Sequence, residues 1–425
     1  MANIAPFRAL RFAGGPDISA HTAPPYDVIG PGLHEQLLAQ AENIVHVDFG
    51  LGSTDPAEPG NRYQRAAEQL AAWRAAGVLA VDENPALYVY EQDYEWGDQT
   101  FTRRSLFAAV RLEALGSGHI HPHEQTFSGP KEDRFQVTRH TQCALSQHLG
   151  IYPDETNEVM ALLAPFTQRV PDATATGLAD GVRNRLWAVT ERPAIEAVQA
   201  ALADRDIFIA DGHHRYEMMR RYRQTLADAG ELTDDHPANY TIFVLTGSGD
   251  PGLLVMPTHR VVGAWPSATA ERVAEALAEH FDAAPLDVDP TDGTALDAAL
   301  AEADLSAVGL LTADGLLLLT PRDPAWVAAE LADLSPALRE LNVSVLHKLM
   351  MPRLEAAFGQ PQLSYVHQAT EAVEALAEGA DLAFLLRATP LESVLEVALA
   401  HELMPQKTTY FYPKVLTGLV MYPLA

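Results

Sequence analysis

The sequence predicts an α/β to α+β fold. Three features carry that prediction: short apolar runs of strand length, longer stretches with apolar residues at helical spacing, and turn-forming pairs between them. The chain has 425 residues, 48% of them apolar and evenly spread, enough for two or three ordinary domains with a sizeable core. The least structured stretches are the turn-rich Gly50 to Gly60 and Gly247 to Gly252.

Asn61 to Ala76 places Tyr63, Ala66, Ala67, Leu70 and Trp73 on one face and is followed by Gly77, the pattern of an amphipathic helix with a C-terminal stop, expected to pack on something flat. Leu87 to Glu91 and Arg104 to Leu112 flank Gly97-Asp98 and read as a β-hairpin. A polar helix follows Lys131, another covers Asn157 to Leu163, and Leu186 to Thr190 is a strand. Ile207 to Ala210 is wholly apolar and stops at Asp211-Gly212, after which Met218, Met219, Tyr222 and Leu226 recur at helical spacing: strand, tight turn, helix. Tyr240 to Thr246 is a buried strand. Beyond Ala264 come a helix at Ala268 to His280, a hairpin of Val308 to Leu311 with Leu316 to Leu319, and helices after Pro324 and from Glu392 to Leu403. The expected organisation is an N-terminal α+β region (1–115), a region carrying both main polar motifs (116–262) and a C-terminal α+β region (263–425).

No run approaches the roughly 20 apolar residues that span a bilayer, and the first residues lack the apolar core of a signal peptide, so a cytoplasmic location is expected. Cys143 is the one cysteine, which excludes an internal disulfide and a cysteine-clustered metal site. Asp and Glu number 57 against 29 Lys and Arg, a formal charge of −28 that repels nucleic acid and anionic membranes, so any phosphate must be captured locally. Nothing in the sequence counts subunits.

Asp211-Gly-His-His-Arg-Tyr-Glu217 falls where the strand gives way to the helix. The first N–H groups of a helix lack partners and carry the positive end of its dipole, a natural seat for an anion. Gly212 lets the backbone approach a ligand, Arg215 offers a planar fork for phosphate oxygens, and His213 and His214 add donors that titrate near neutrality. Asp211 can cap the helix or hold Mg²⁺. A solvated first turn without a ligand is the plain alternative. Zinc is opposed by the adjacency of the histidines, which point apart. A second cluster holds His119, His121, His123, Glu124 and Thr126, then Lys131, Arg134 and Arg139; the three histidines share one side if extended, an arrangement open to a metal. Asp27 in Pro24-Pro-Tyr-Asp-Val28, His259 and Arg260 in Pro257-Thr-His-Arg260, and Lys407 and Lys414 around Tyr410-Phe-Tyr stand beside prolines and aromatics, as clamping loops often do.

Taken in order, Phe7-Arg-Ala-Leu-Arg11, Ala23-Pro-Pro-Tyr-Asp-Val28, the block from His123-Glu124 to Arg134, Asp211 to Glu217, Pro257 to Arg260 and Tyr410 to Lys414 resemble a bacterial and archaeal family of unknown function, domain of unknown function ten-fifteen. His-Pro-His-Glu124 with Asp-Gly-His-His-Arg215 also resembles the ParB and sulfiredoxin superfamily, some members of which are free-serine kinases. That resemblance implies a ParB/sulfiredoxin-like mixed core with large additional α+β elements, a ParB-like phosphate-binding region at 116–262, Glu124 as base and Gly212 to Arg215 as phosphate cradle. About 85 residues separate the two motifs, more than in a compact ParB module.

The function expected from these residues is phosphoryl transfer on a small hydroxylated metabolite, serine preferred, with ATP or ADP and Mg²⁺. Glu124, Asp211, His213 and His214 are the expected catalytic residues, with Asp211 on the metal. Gly212, Arg215, Lys131, Arg134 and Arg260 are the expected phosphate or nucleotide ligands. Asp27, His123, Thr126, His259, Lys407 and Lys414 are lid or substrate candidates. A phosphatase acting on a phosphomonoester such as phosphoserine, a nucleotide-binding regulator without turnover, and a scaffold are the alternatives.

Overall fold

Apolar residues alternate or run continuously most densely between Leu87 and Gly247, and this stretch builds the larger of two sheets. The computed structural model describes residues 3–116, 118–124 and 128–425, without the side chains of 128–130. Thr126 lies outside the described residues. The chain forms two compact units, one of Met1–Pro122, Thr126–Leu254 and Pro413–Ala425, the other of His123–Gln125 and Val255–Tyr412. This differs from the three regions expected from sequence. The last residues return to the first unit through backbone bonds that composition does not reveal: Leu10 N to the Met421 carbonyl at 2.9 Å, and Leu424 N to the Gln142 carbonyl at 2.9 Å.

In the first unit the sheet runs in the order Ile120–His121, Ile207–Asp211, His148–Tyr152, Tyr240–Gly247, Gln99–Arg111, Leu87–Trp96, Arg183–Val189, Ala173–Thr176, with Ile4–Ala5 added beside Gln99–Arg111. It is mixed: Ile207–Asp211 pairs in parallel with Ile120–His121 and antiparallel with His148–Tyr152. The expected hairpin is present and longer than its apolar pattern, because polar Gln92 to Glu95 and Gln99 to Arg103 continue the ladder to the Gly97 turn. The helix Arg62–Ala75 is capped by the Asn61 side chain, which accepts from the Tyr63 and Gln64 amides. It packs on the helices Ser128–Thr141 and Val45–Asp48 instead of on a flat sheet.

The second unit has a six-stranded antiparallel sheet in the order Phe281–Leu286, Gly315–Pro321, Val308–Thr312, Leu382–Leu386, His259–Gly263, Gln362–Val366. The helices Gly293–Ala301 and Ala369–Ala377 contribute Leu296, Leu300, Ala369 and Ala372 to a core with Leu311, Leu316, Ala383 and Leu385. Gly293 lets the two helices meet, since a Cβ there would lie 2.3 Å from the Thr370 backbone nitrogen. The sequence-based expectation of α/β to α+β architecture therefore holds, one unit mixed and one antiparallel with helices. No helix among the described residues is long and apolar enough to cross a membrane.

Candidate anion-binding site

Ile207, Phe208, Ile209 and Ala210 are buried, and the ladder to His148–Tyr152 shifts register between Ile209 and Asp211. This irregularity pairs Asp211 with Leu149, so its carboxyl emerges on the face that also carries Val244 and Phe107. The chain then turns at Gly212, whose φ of +94° suits glycine. Space favours glycine as well, because a Cβ would sit 3.1 Å from the Arg215 guanidinium, which would have to give way. The helix His213–Asp228 starts at once, and among the described residues no side chain caps it. Tyr216 N bonds back to the Gly212 carbonyl at 2.9 Å, closing the first helical turn.

Two cations converge on Asp211. Arg215 donates from Nη2 to Asp211 Oδ2 and from Nη1 to the Gln147 carbonyl, while Lys414 Nζ lies 2.7 Å from Asp211 Oδ1. Burial alone would push the Asp211 carboxyl up, but Lys414 and Arg215 outweigh it and hold it well below the usual carboxylate range. His148 Nδ1 lies 3.3 Å from the Gly212 carbonyl and Nε2 3.0 Å from Thr241 Oγ1. Burial, reinforced by Arg215, pushes its pKa down to about 3, so it is a neutral support for the turn. A narrow recess is lined by Pro25, Gln147, Leu149, Asp211, Arg215 and Lys414. Two cations against one carboxylate, beside a helix start, give it the chemistry of an anion site.

Asp211 does not fit the expected magnesium position: both its oxygens are engaged by cations, and among the described residues no three His, Cys, Asp or Glu side chains group as metal ligands. His213 is buried and His214 half-buried in the first helical turn. Of the other candidates in this unit, Lys131 pairs with Glu217. Arg134 is buried between Asp48 at 2.9 Å and Asp133 at 2.6 Å, with Tyr26 stacked at 4.2 Å, so its guanidinium serves the fold. Pro25 reaches the recess, but its neighbour Asp27 is exposed. His119 and His121 meet one carboxylate, Asp206, at 2.6 and 3.4 Å, whereas His123 belongs to the second unit. Among the described residues, these three do not group as metal ligands.

The second unit gathers a different set. Glu124 bridges to Met404, and His123 Nε2 lies 3.0 Å from Thr409 Oγ1. Arg260 donates to the Thr258 carbonyl, to the Lys407 carbonyl at 3.1 Å and to His347 Nε2 at 3.1 Å. Its pKa falls to about 10 through burial, opposed by Tyr365 and by the charge of Glu124. The structure thus brings Glu124 and Arg260 within electrostatic reach. His259 is buried, accepting from the Leu386 amide at 3.1 Å, and the Lys407 side chain is exposed although its carbonyl holds Arg260. Sequence reasoning missed Gln92, Arg103, Gln147, His148 and His347: each stands among ordinary strand, helix or loop residues, with no local motif to mark it. Only the irregular π-turn Val345–Met350 distinguishes the place of His347, and that is a structural signal.

These features define a mixed α/β and α+β protein with a cationic pocket at a strand-to-helix turn. Residues 4–344 match the family described as protein of unknown function (DUF1015), and the chain belongs to that family. No curated protein matches it. Among solved structures, a free serine kinase variant in complex with ADP is similar at 15% identity, covering 72% of this chain and 87% of that one, with a TM-score of 0.36. A conserved hypothetical protein from Pyrococcus furiosus is similar at 15% identity over 72% of this chain and 90% of its own, with a TM-score of 0.34. SbnI with C-terminal truncation from Staphylococcus aureus is similar at 12% identity over 75% and 87%, with a TM-score of 0.38. Likeness this loose leaves the activity to be argued from the chain's own residues.

Proposed function

We propose that the protein transfers a phosphoryl group to or from a small hydroxylated metabolite, with ATP or ADP as the nucleotide and free serine as the preferred acceptor. The observation that carries this reading is the pair Arg215 and Lys414 converging on Asp211 at the start of the helix His213–Asp228. Phosphoryl transfer is mostly positioning and charge neutralisation, which such a group supplies. Arg215 and Lys414 bind the phosphate at the Gly212 turn, with His213 and His214 as further ligands. Asp211 acts as a positioning residue, fixing both cations. Glu124 is the residue assigned to take the acceptor proton, a role supported by the sequence resemblance alone.

The test is thermal melting with ATP, ADP and inorganic phosphate, followed by nucleotide turnover with serine. A ligand at 100 times its Kd adds about 2.7 kcal/mol of stability, and Arg215→Ala abolishes that gain. Glu124→Gln keeps nucleotide affinity and loses turnover. Absence of any shift with all three ligands defeats the reading. Phosphate release from phosphoserine without nucleotide sets the direction as hydrolysis.

One observation favours a second reading, a nucleotide-binding regulator without turnover. The carboxylate nearest the cations, Asp211, is locked in ion pairs and cannot serve as a base. Nucleotide affinity with no product from serine supports it.

A further inference from the structure

Two buried arginines of the first unit differ in a way that packing does not explain. Arg134 is 3% exposed and satisfied by two carboxylates, Asp48 and Asp133. Arg103 is 0% exposed, in the middle of the sheet, and donates only from Nη2, to Gln92 Oε1. Among the described residues its Nε and Nη1 have no hydrogen-bond partner. A guanidinium has donors and no acceptor, and a buried one left unpaired is costly, so the groups that would complete it are anionic oxygens. The nearby carboxylates are committed elsewhere. Asp211 holds Arg215 and Lys414, and Asp250 accepts from the Gly252 amide at 3.0 Å and the Arg104 amide at 3.3 Å.

Arg103 is tied to the cationic pocket. Gln92, which holds it, donates from Nε2 to the Lys414 carbonyl at 3.0 Å, and Lys414 reaches Asp211. The register rows Phe107, Val244, Leu149 and Asp211 share one sheet face, and Arg103, four residues from Phe107 on the same strand, lies on that face. Burial weakens the arginine's hold on its proton, opposed by the charges of Tyr90, Tyr94, Asp250 and Asp211.

We infer that Arg103 is a second anion-binding residue of the Asp211 pocket, and that the ligand carries two anionic groups, one for Arg215 and Lys414 and one for Arg103. This rests on the Asp211 site being a phosphate site. The second group is either another phosphate or a carboxylate, both of which present oxygens to these donors.

Titration calorimetry with orthophosphate, pyrophosphate and O-phosphoserine separates the cases, using the full chain and its Arg103→Met variant. Wild type is expected to prefer a two-group probe over orthophosphate, and Arg103→Met to reduce that preference on the order of 10- to 100-fold, the worth of a charge-assisted hydrogen bond. Loss confined to pyrophosphate identifies a second phosphate; loss confined to phosphoserine identifies a carboxylate. An unchanged preference ratio in a folded Arg103→Met overturns the inference while leaving the phosphate site standing. Wild type binding none of the three overturns both. If Arg103→Met does not fold, Arg103→Lys, with one charge and no fork, is read by the same ratio.

Discussion

Arg215 in the first unit and Arg260 in the second are both withdrawn from solvent, yet they are stabilised by opposite means. Arg215 has a bonded carboxylate, Asp211, which is itself shared with Lys414. Arg260 bonds two backbone carbonyls and a histidine, with Glu124 acting on it only through its field. Each has a histidine beside it that burial keeps neutral, His148 with Arg215 and His347 with Arg260. The first arrangement fixes a net positive group at the mouth of a helix; the second holds one cation among neutral acceptors. Local pairing, not depth, decides how firmly a buried guanidinium is held.

The strongest way to break that contrast is to remove each arginine. Arg215→Met leaves the half-buried Asp211 with Lys414 as its bonded cation and frees the Gln147 carbonyl, and should cost about 3–5 kcal/mol. Arg260→Met leaves no bonded carboxylate behind, so about 1–3 kcal/mol is expected for carbonyls that lose a donor. Urea unfolding of both variants checks the difference. Equal losses would mean that the Asp211 pair is no more than a solvated contact.

The fold of this neighbourhood was legible in the sequence, and its partners were not. Ile207 to Ala210, the Asp211-Gly212 stop and the helical repeat of Met218, Met219 and Tyr222 state strand, turn and helix within twenty residues, because burial and backbone conformation are local demands. Arg215 was legible for the same reason, standing in the first helical turn. Lys414 was noted only as a loop residue, since its meeting with Asp211 spans 203 positions and depends on the C-terminal segment returning to the first unit. Asp211 as a magnesium ligand failed on that same return: the sequence shows a carboxylate four residues from Arg215 but not Lys414, which takes its other oxygen. Arg103 carried no signal, lying among ordinary strand residues.

A smaller change sharpens the comparison by touching one arginine alone. Gly212→Ala keeps every charge but needs φ of +94° and room for a Cβ only 3.1 Å from the Arg215 guanidinium. Strain of about 1–3 kcal/mol is expected, with weaker phosphate binding in the calorimeter because the guanidinium must shift. Gly293→Ala in the second unit, which meets backbone rather than a site residue, should lose stability and leave phosphate affinity alone. If Gly212→Ala loses stability but no affinity, the turn shapes the fold and not the site.

The finest test separates the two histidines by proton uptake. Folded-state values of about 3 for His148 and about 4 for His347 lie below the ordinary 6.5, so each binds its proton mainly in the unfolded chain as pH falls below 6.5. Stability therefore drops on acidification, by up to about 1.4 kcal/mol per pH unit for each histidine. Asp250 works against this. Burial raises its carboxyl to about 6, so between about pH 4 and 6 it binds a proton in the folded state and not in the unfolded one, adding stability as pH falls. His347→Gln should flatten the acid slope of unfolding free energy between pH 6 and 4 by about one proton's worth, and His148→Gln should do the same. Asp250→Asn should steepen it by a similar amount. Both histidines must act for the two arginines to have matching neutral neighbours, and a slope unmoved by His148→Gln alone would show that the Gly212 turn tolerates a charged imidazole beside Arg215.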